Sequence, residues 1–362
     1  MKNALRLLVL AGASVVALAV AGSAMAAYTS PRLLVTGPTA VGAGGGTTVH
    51  VEQDRADEAT FRVVIYVPQG YTSSTGQPVN ATIGTVVARA QAGPTSDVIL
   101  PLEGNIISAD PAAYRTSPQA LGCIAGGTPT ATTRVESVWI LRLTVSGQTL
   151  DVPAYVNPIT SGPEAAFASA KITVCLPSPY IPEAQGGARF GAKLRSATLR
   201  FNGGVFANPA SRGTFRWTSV WTPYTLNTGT PNPAGTVETQ SIVRLPAQAT
   251  LNLRRLRGNR LAISGGVSEA GVGVGGATMR IVATGPRRFA MSFRTNARGL
   301  YSRVVRITRR GTYRITLTAR VAQRNLGTAG CTKVATAGTP LPCVNATAAA
   351  FTRTIVRAAR WR

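Results

Sequence analysis

Hydrophobic residues recur at every second position along most of this chain, and that period admits few folds. Phe61, Val63, Ile65 and Val67 alternate with Arg62, Val64 and Tyr66. Trp139, Leu141, Leu143 and Val145 alternate with Ile140, Arg142 and Thr144. Tyr313, Ile315, Leu317, Ala319 and Val321 alternate with Arg314, Thr316, Thr318 and Arg320. A period of two places the two sets on opposite faces of a strand. Turn formers divide the runs: Pro68, Gln69 and Gly70; Asn202, Gly203 and Gly204; Arg257, Gly258 and Asn259; Arg310 and Gly311. Only the stretch from Glu164 to Lys171 reads as briefly helical. Many short strands with regular turns are the pattern of β-sandwiches. The expected class is therefore all-β, with two or three antiparallel sandwich domains in tandem.

The N-terminus sets the expected compartment. Lys2 and Arg6 precede an uncharged apolar run from Leu7 to Val20, and Ala24, Met25 and Ala26 have the form of an A-x-A cleavage site. These features predict a secretory signal peptide over residues 1–27 and a secreted or cell-envelope-associated protein. The sequence shows no covalent membrane or wall anchor. Four cysteines suit an oxidising compartment. Four cysteines allow three pairings; Cys123 with Cys175 and Cys331 with Cys343 are expected, because each pair then closes a loop inside one domain.

Charge divides the chain. From Tyr28 to Ala188 there are eight basic and eleven acidic residues. From Arg189 to Leu253 seven basic residues face Glu238 alone, and from Arg254 to Arg362 twenty-one face Glu269 alone. The formal net charge of +25 thus sits almost wholly in the last third. The shift predicts a sandwich over 28–180, a second β-rich domain or subdomain over 189–248, and a basic sandwich over 250–362.

Chemistry is scarce. A Ser-His-acid triad requires a histidine, and the single one, His50, lies in an alternating strand without a serine motif beside it. The Gly271–Gly276 stretch lacks the lysine and the following helix of a phosphate-binding loop. Glu52, Asp54, Asp57 and Glu58 offer the hard oxygens that Ca²⁺ takes, but in no EF-hand spacing, and read as a solvated loop. No catalytic residue, metal site or cofactor is assigned, and the chain is read as no enzyme.

The last third carries a resemblance. Its segments are LAISGGV (Leu261–Val267), GVGVGGATMRI (Gly271–Ile281), FRTNARGLYS (Phe293–Ser302) and GTYRITLTA (Gly311–Ala319). In this order they resemble the carboxypeptidase-regulatory-like and Cna-B-like repeats of bacterial surface proteins. That resemblance implies a small transthyretin-like or immunoglobulin-like sandwich acting as a spacer or adhesive module. Some Cna-B-like repeats carry a Lys–Asn isopeptide cross-link beside a buried acid. Here Lys333 is the only lysine of the segment and Glu269 its only acid, so no cross-link is expected. The stretches YVPQGY (Tyr66–Tyr71) and VPAYV (Val152–Val156) look like strand ends of immunoglobulin-like extracellular modules.

Two surfaces are candidates for binding. Phe215, Trp217 and Trp221 share one strand face, a platform for sugar rings if exposed and core if buried. Arg287, Arg288, Arg303, Arg306, Arg309, Arg310, Arg314 and Arg320 fall where the alternation points to solvent. Guanidinium groups bind phosphate, carboxylate and sulfate in bidentate geometry. The expected function is a non-enzymatic secreted module that binds an anionic polymer or cell-envelope polysaccharide. The alternatives are an envelope polysaccharide hydrolase with accessory sandwiches and a purely structural spacer.

Overall fold

The computed structural model describes residues 28–29, 31–93, 96–125, 135–145, 147–333 and 340–361. The expected signal peptide, residues 1–27, lies outside the described residues. The fold is all-β. No helix among the described residues is long and apolar enough to cross a membrane.

One sheet of thirteen strands takes up most of the chain. The strand Thr60–Pro68 shows how the alternation is used. Val63, Ile65 and Val67 enter the main core, while Val64 and Tyr66 enter a smaller cluster with Ile159 and Val220 on the other face. Both faces of this strand are therefore buried. The strand Ser137–Val145 behaves likewise. Trp139, Leu141 and Leu143 point to the main core, whereas Val138 and Ile140 pack beneath the helix Pro118–Ile124. That helix starts where Ser117 accepts a hydrogen bond from the Ala120 amide and Pro118 fixes the first turn. Residues 163–166 form a short 3₁₀ turn and Ala168–Cys175 a strand. The helical reading of Glu164 to Lys171 thus gives way to strand pairing against Thr60–Pro68.

The order of strands departs from the expected partition. Lys193–Phe201 pairs with both Thr47–Glu52 and Thr82–Gln91. Gly213–Pro223 pairs with Thr60–Pro68, and Val237–Leu245 pairs with Gly213–Pro223. Segments assigned to 28–180 and 189–248 therefore share one sheet and one core cluster. The Pro- and Gly-rich stretch around Pro182 is a crossover within that sheet. The sheet also curls back on itself. Val35 N donates to Ser241 Oγ at 2.9 Å, and Thr347 Oγ1 donates to the Leu33 carbonyl at 2.6 Å, so the first strand lies against the far end.

The last third forms a second sandwich. Asn252–Leu256 and Leu300–Arg306 flank Arg260–Glu269 in one sheet. Phe289–Arg294, Thr278–Thr284, Gly311–Val321 and Phe351–Trp361 form the other, in that order. Leu261, Ile263 and Val267 of the first sheet share a core with Met279, Ile281, Ile315 and Leu317 of the second. The run from Tyr313 to Val321 keeps its predicted alternation, with the odd-numbered residues in this core and Arg314 and Arg320 exposed. Between the strands Gly311–Val321 and Phe351–Trp361 the chain leaves the sandwich. Arg324–Asn325 and Cys343–Ala348 extend the edge of the large sheet, the latter parallel to Val237–Leu245.

Both expected disulfides form, Cys123 with Cys175 and Cys331 with Cys343. The first ties the helix Pro118–Ile124 to the strand Ala168–Cys175. The second belongs to the edge of the large sheet rather than to the basic sandwich, because the strand that starts at Cys343 pairs there. The seam between the two units holds Glu269. Its carboxylate accepts from Arg324 Nη2 at 2.7 Å and Arg244 Nη1 at 3.4 Å. Ala247 N donates to the Thr39 carbonyl at 2.8 Å beside it.

Candidate anion-binding surface

Antiparallel pairing decides where the arginines of the sandwich end up. Leu256 pairs with Arg260, and Arg260 pairs with Arg306. Thr284 pairs with Arg314, Ala283 with Phe289, and Gly311 with Trp361. These pairs place the turns 257–259, 285–288 and 307–310 and the end of the last strand at one end of the sandwich. Glu269, paired with Ala247 and Val272, lies at the other. The end away from the seam therefore gathers Arg287, Arg288, Arg309 and Arg310, with Arg306 and Arg314 on the strands leading into it. All six are exposed.

The two arginine-bearing turns touch. Arg287 Nη1 donates to Thr308 Oγ1 at 2.8 Å, and Tyr313 Oη donates to the Arg309 carbonyl at 3.0 Å. Gly311 has φ 129°, and a side chain there would run into the Pro286 ring. Only glycine lets the second turn lie this close to the first. The paired turns present four guanidinium groups from one small area.

Nothing in the sandwich neutralises them. Among the described residues none of the eight predicted arginines forms a salt bridge, and the single acid, Glu269, is committed to Arg244 and Arg324 at the seam. The large sheet pairs part of its charge: Arg32 meets Glu52, Arg55 Asp97, Arg142 Asp151, Lys171 Glu164, and Arg189 Glu183.

Two of the eight predicted arginines lie elsewhere. Arg303 stacks over the Phe293 ring at 4.7 Å along the open edge of the sandwich. Arg320 sits near the seam end, paired in register with Thr278 and Thr352. The structure adds Arg254, Arg255, Arg257, Arg260 and Arg360 to the arginine-rich end, all exposed. Arg255 covers the Trp361 ring at 4.4 Å, a cation–π contact that anchors the C-terminal strand. The signal that finds them is the recognised turn at Arg257, Gly258 and Asn259. Residues flanking a hairpin turn must share its end of the sandwich.

The aromatic platform is core. Trp217 and Trp221 are fully buried, and Trp221 Nε1 donates to Ser219 Oγ at 2.8 Å. Phe215 is half-buried edge-on to Tyr71 at 5.7 Å. The shared face points into the curled sheet, whose interior needs large aromatics to fill it, so the three residues do not form a sugar-stacking surface.

The acidic loop is spent on local structure. The Asp57 carboxylate accepts from Thr29 Oγ1 at 2.7 Å and from the Asp54 amide at 2.8 Å, and Glu58 accepts from Tyr180 Oη at 3.0 Å. Lys193 Nζ donates to the carbonyls of Arg55 and Asp57, and burial pushes its ammonium below the usual lysine range. His50 Nδ1 bonds to Thr198 Oγ1 at 2.8 Å across two paired strands. Among the described residues no three His, Cys, Asp or Glu side chains converge as metal ligands would. No protein-family model and no curated protein matches the chain.

Proposed function

We propose that this protein is a non-enzymatic, extracellular binding module that holds anionic polymers at the arginine-rich end of its C-terminal sandwich. One observation carries the reading: the turns with Arg287, Arg288, Arg309 and Arg310 adjoin, and the only acid of the sandwich is held by two other arginines at the opposite end. An unbalanced cluster of guanidinium groups attracts polyanions over about a Debye length, roughly 8 Å in physiological salt. Its contacts with carboxylate, sulfate or phosphate are bidentate, which suits a flexible anionic chain better than a single docked protein. The two disulfides and the resemblance of the sandwich to surface-protein repeats support a role outside the cell.

Retention of the full-length protein on immobilised polyphosphate, eluted with rising salt, tests the reading. The wild type is expected to elute late. Arg287→Glu with Arg288→Glu is expected to elute earlier, and adding Arg309→Glu and Arg310→Glu to bring it close to flow-through. Arg89→Glu on the large sheet with Arg115→Glu in the turn before the helix Pro118–Ile124, both exposed, makes the same charge change as the first pair and should leave elution near wild type. Equal elution of wild type and the fourfold variant, or an equal loss in the control, overturns the proposal.

A further inference from the structure

The outer face of the sheet built around Arg260–Glu269 carries a second feature, apart from the arginine-rich end. Asn252, Ser264 and Ser302 stand side by side across the three strands, and Gly266 stands beside Leu300 in the next row. The period of two turns these residues away from the core that Leu261, Ile263 and Tyr301 fill. They floor an open trough of about 900 Å³. Gly266 keeps the floor low: a Cβ there would stand 3.1 Å from Leu300 Cδ2 and 3.2 Å from the Gly299 carbonyl oxygen.

The rim is basic and held in place. Arg294, Arg298 and Arg303 line the trough, and no lining residue is acidic. The turn that carries Arg298 is fixed by Asn296, whose Oδ1 accepts from the amides of Arg298 at 3.0 Å and Leu300 at 2.9 Å. Arg303 is held over Phe293. Beside the hydroxyls, Leu300 lines the trough and stands 52% exposed. The trough thus offers three kinds of contact at once: hydroxyl and amide groups on the floor, bare aliphatic surface, and guanidinium groups on the rim.

We propose that this trough is a subsite for a short acidic oligosaccharide, one bearing carboxylate or sulfate groups. Sugar hydroxyls match the serine and asparagine floor, the C–H faces of the rings match Leu300, and the anionic groups match the rim. A bare polyphosphate would use the arginines and gain nothing from the floor. Volumes of this size are usual for ligand sites. The proposal deepens the anion-binding reading, on which it rests for the sign of the ligand's charge. It adds that a sugar is recognised, and where.

The test titrates the full-length protein by calorimetry with a galacturonate oligomer and, separately, with a polyphosphate of matched charge, at fixed salt. Ser302→Leu removes a floor hydroxyl without changing charge, at an exposed strand position that tolerates a branched side chain. It is expected to weaken the galacturonate oligomer about tenfold and to leave polyphosphate unchanged. Arg298→Glu is a second route to the same loss. The fourfold variant of the arginine-rich turns is expected to lose polyphosphate and to keep the oligomer. If Ser302→Leu and Arg298→Glu both bind the oligomer as the wild type does, or if oligomer and polyphosphate respond alike to every variant, the trough is no sugar site. Loss of polyphosphate in the fourfold variant would then still uphold the anion-binding reading. Failure of the wild type to bind either probe would overturn both.

Discussion

The large sheet and the basic sandwich use the same strand chemistry and handle charge differently. In the large sheet Glu52, Asp97, Asp151, Glu164 and Glu183 each meet a nearby cation, and the interior is closed by Trp139, Trp217 and Trp221. The sandwich has a smaller, mainly aliphatic core that also takes in Tyr301, Tyr313, Phe351 and Trp361, and none of the eight predicted arginines has a carboxylate partner among the described residues. Pairing lowers the cost of charge in the first unit. In the second, like charges crowd one end and oppose folding slightly, which is a reason to expect a ligand there rather than a stability role. Under the proposed function, stability and binding fall to different parts of one chain, so each should respond to its own substitutions.

The sharpest way to break this comparison is to attack the core of the large sheet. Trp217→Ala removes a fully buried ring and should cost about 3–5 kcal/mol in chemical denaturation. Retention on an anionic polymer should stay unchanged at temperatures where the variant is folded. If the loss of Trp217 abolishes retention while the protein remains folded, the division of labour is wrong.

A second probe concerns a buried acid in the large sheet. Glu238 is buried, with Gln240 Nε2 donating to its carboxylate, and burial raises its pKa from 4.5 to about 7. The folded state therefore keeps a proton that the unfolded chain releases first. Stability falls as pH rises through the window from 4.5 to about 7, and the full penalty applies above it. Glu238→Gln keeps an acceptor for Gln240 and removes the ionisation. Its gain over wild type should be near zero at the acid end of that window and about 3 kcal/mol once the wild-type carboxyl is ionised. A stability difference that does not change with pH would show that Glu238 does not titrate in this range.

The smallest effect is expected at the seam. Glu269→Gln leaves Arg244 and Arg324 without their shared carboxylate. Both arginines are about one-third exposed, so solvent screens much of the loss and about 1 kcal/mol is expected in thermal unfolding. The variant also frees two more cations. Retention on polyanions should hold or rise slightly; a fall would mean that the seam orients the binding surface.

Much of this was legible in the residues themselves. The alternation from Tyr313 to Val321 names its own buried and exposed members, and the structure agrees position by position. The disulfide pairing followed from closing each loop inside one expected domain, although the second bond lies at the edge of the large sheet and not in the basic sandwich. Trp217 and Trp221 were ambiguous, because parity shows that two side chains share a face and not whether that face meets water. The helix Pro118–Ile124 was missed, although Ser117 and Pro118 are its start signal, because its few apolar residues give too short a periodic run.

Sequence alone determined the strands, the turns, the bonded cysteines and the scarcity of acids after Leu245, because each is a local property of pleat, backbone freedom or composition. Tertiary structure decided which strands became neighbours. It placed Lys193–Phe201 between two strands from the first part of the chain and returned Cys343–Ala348 to the large sheet. It also brought turns distant in sequence together at one end of the sandwich. Register between distant strands depends on packing across the whole core, and no local pattern encodes it.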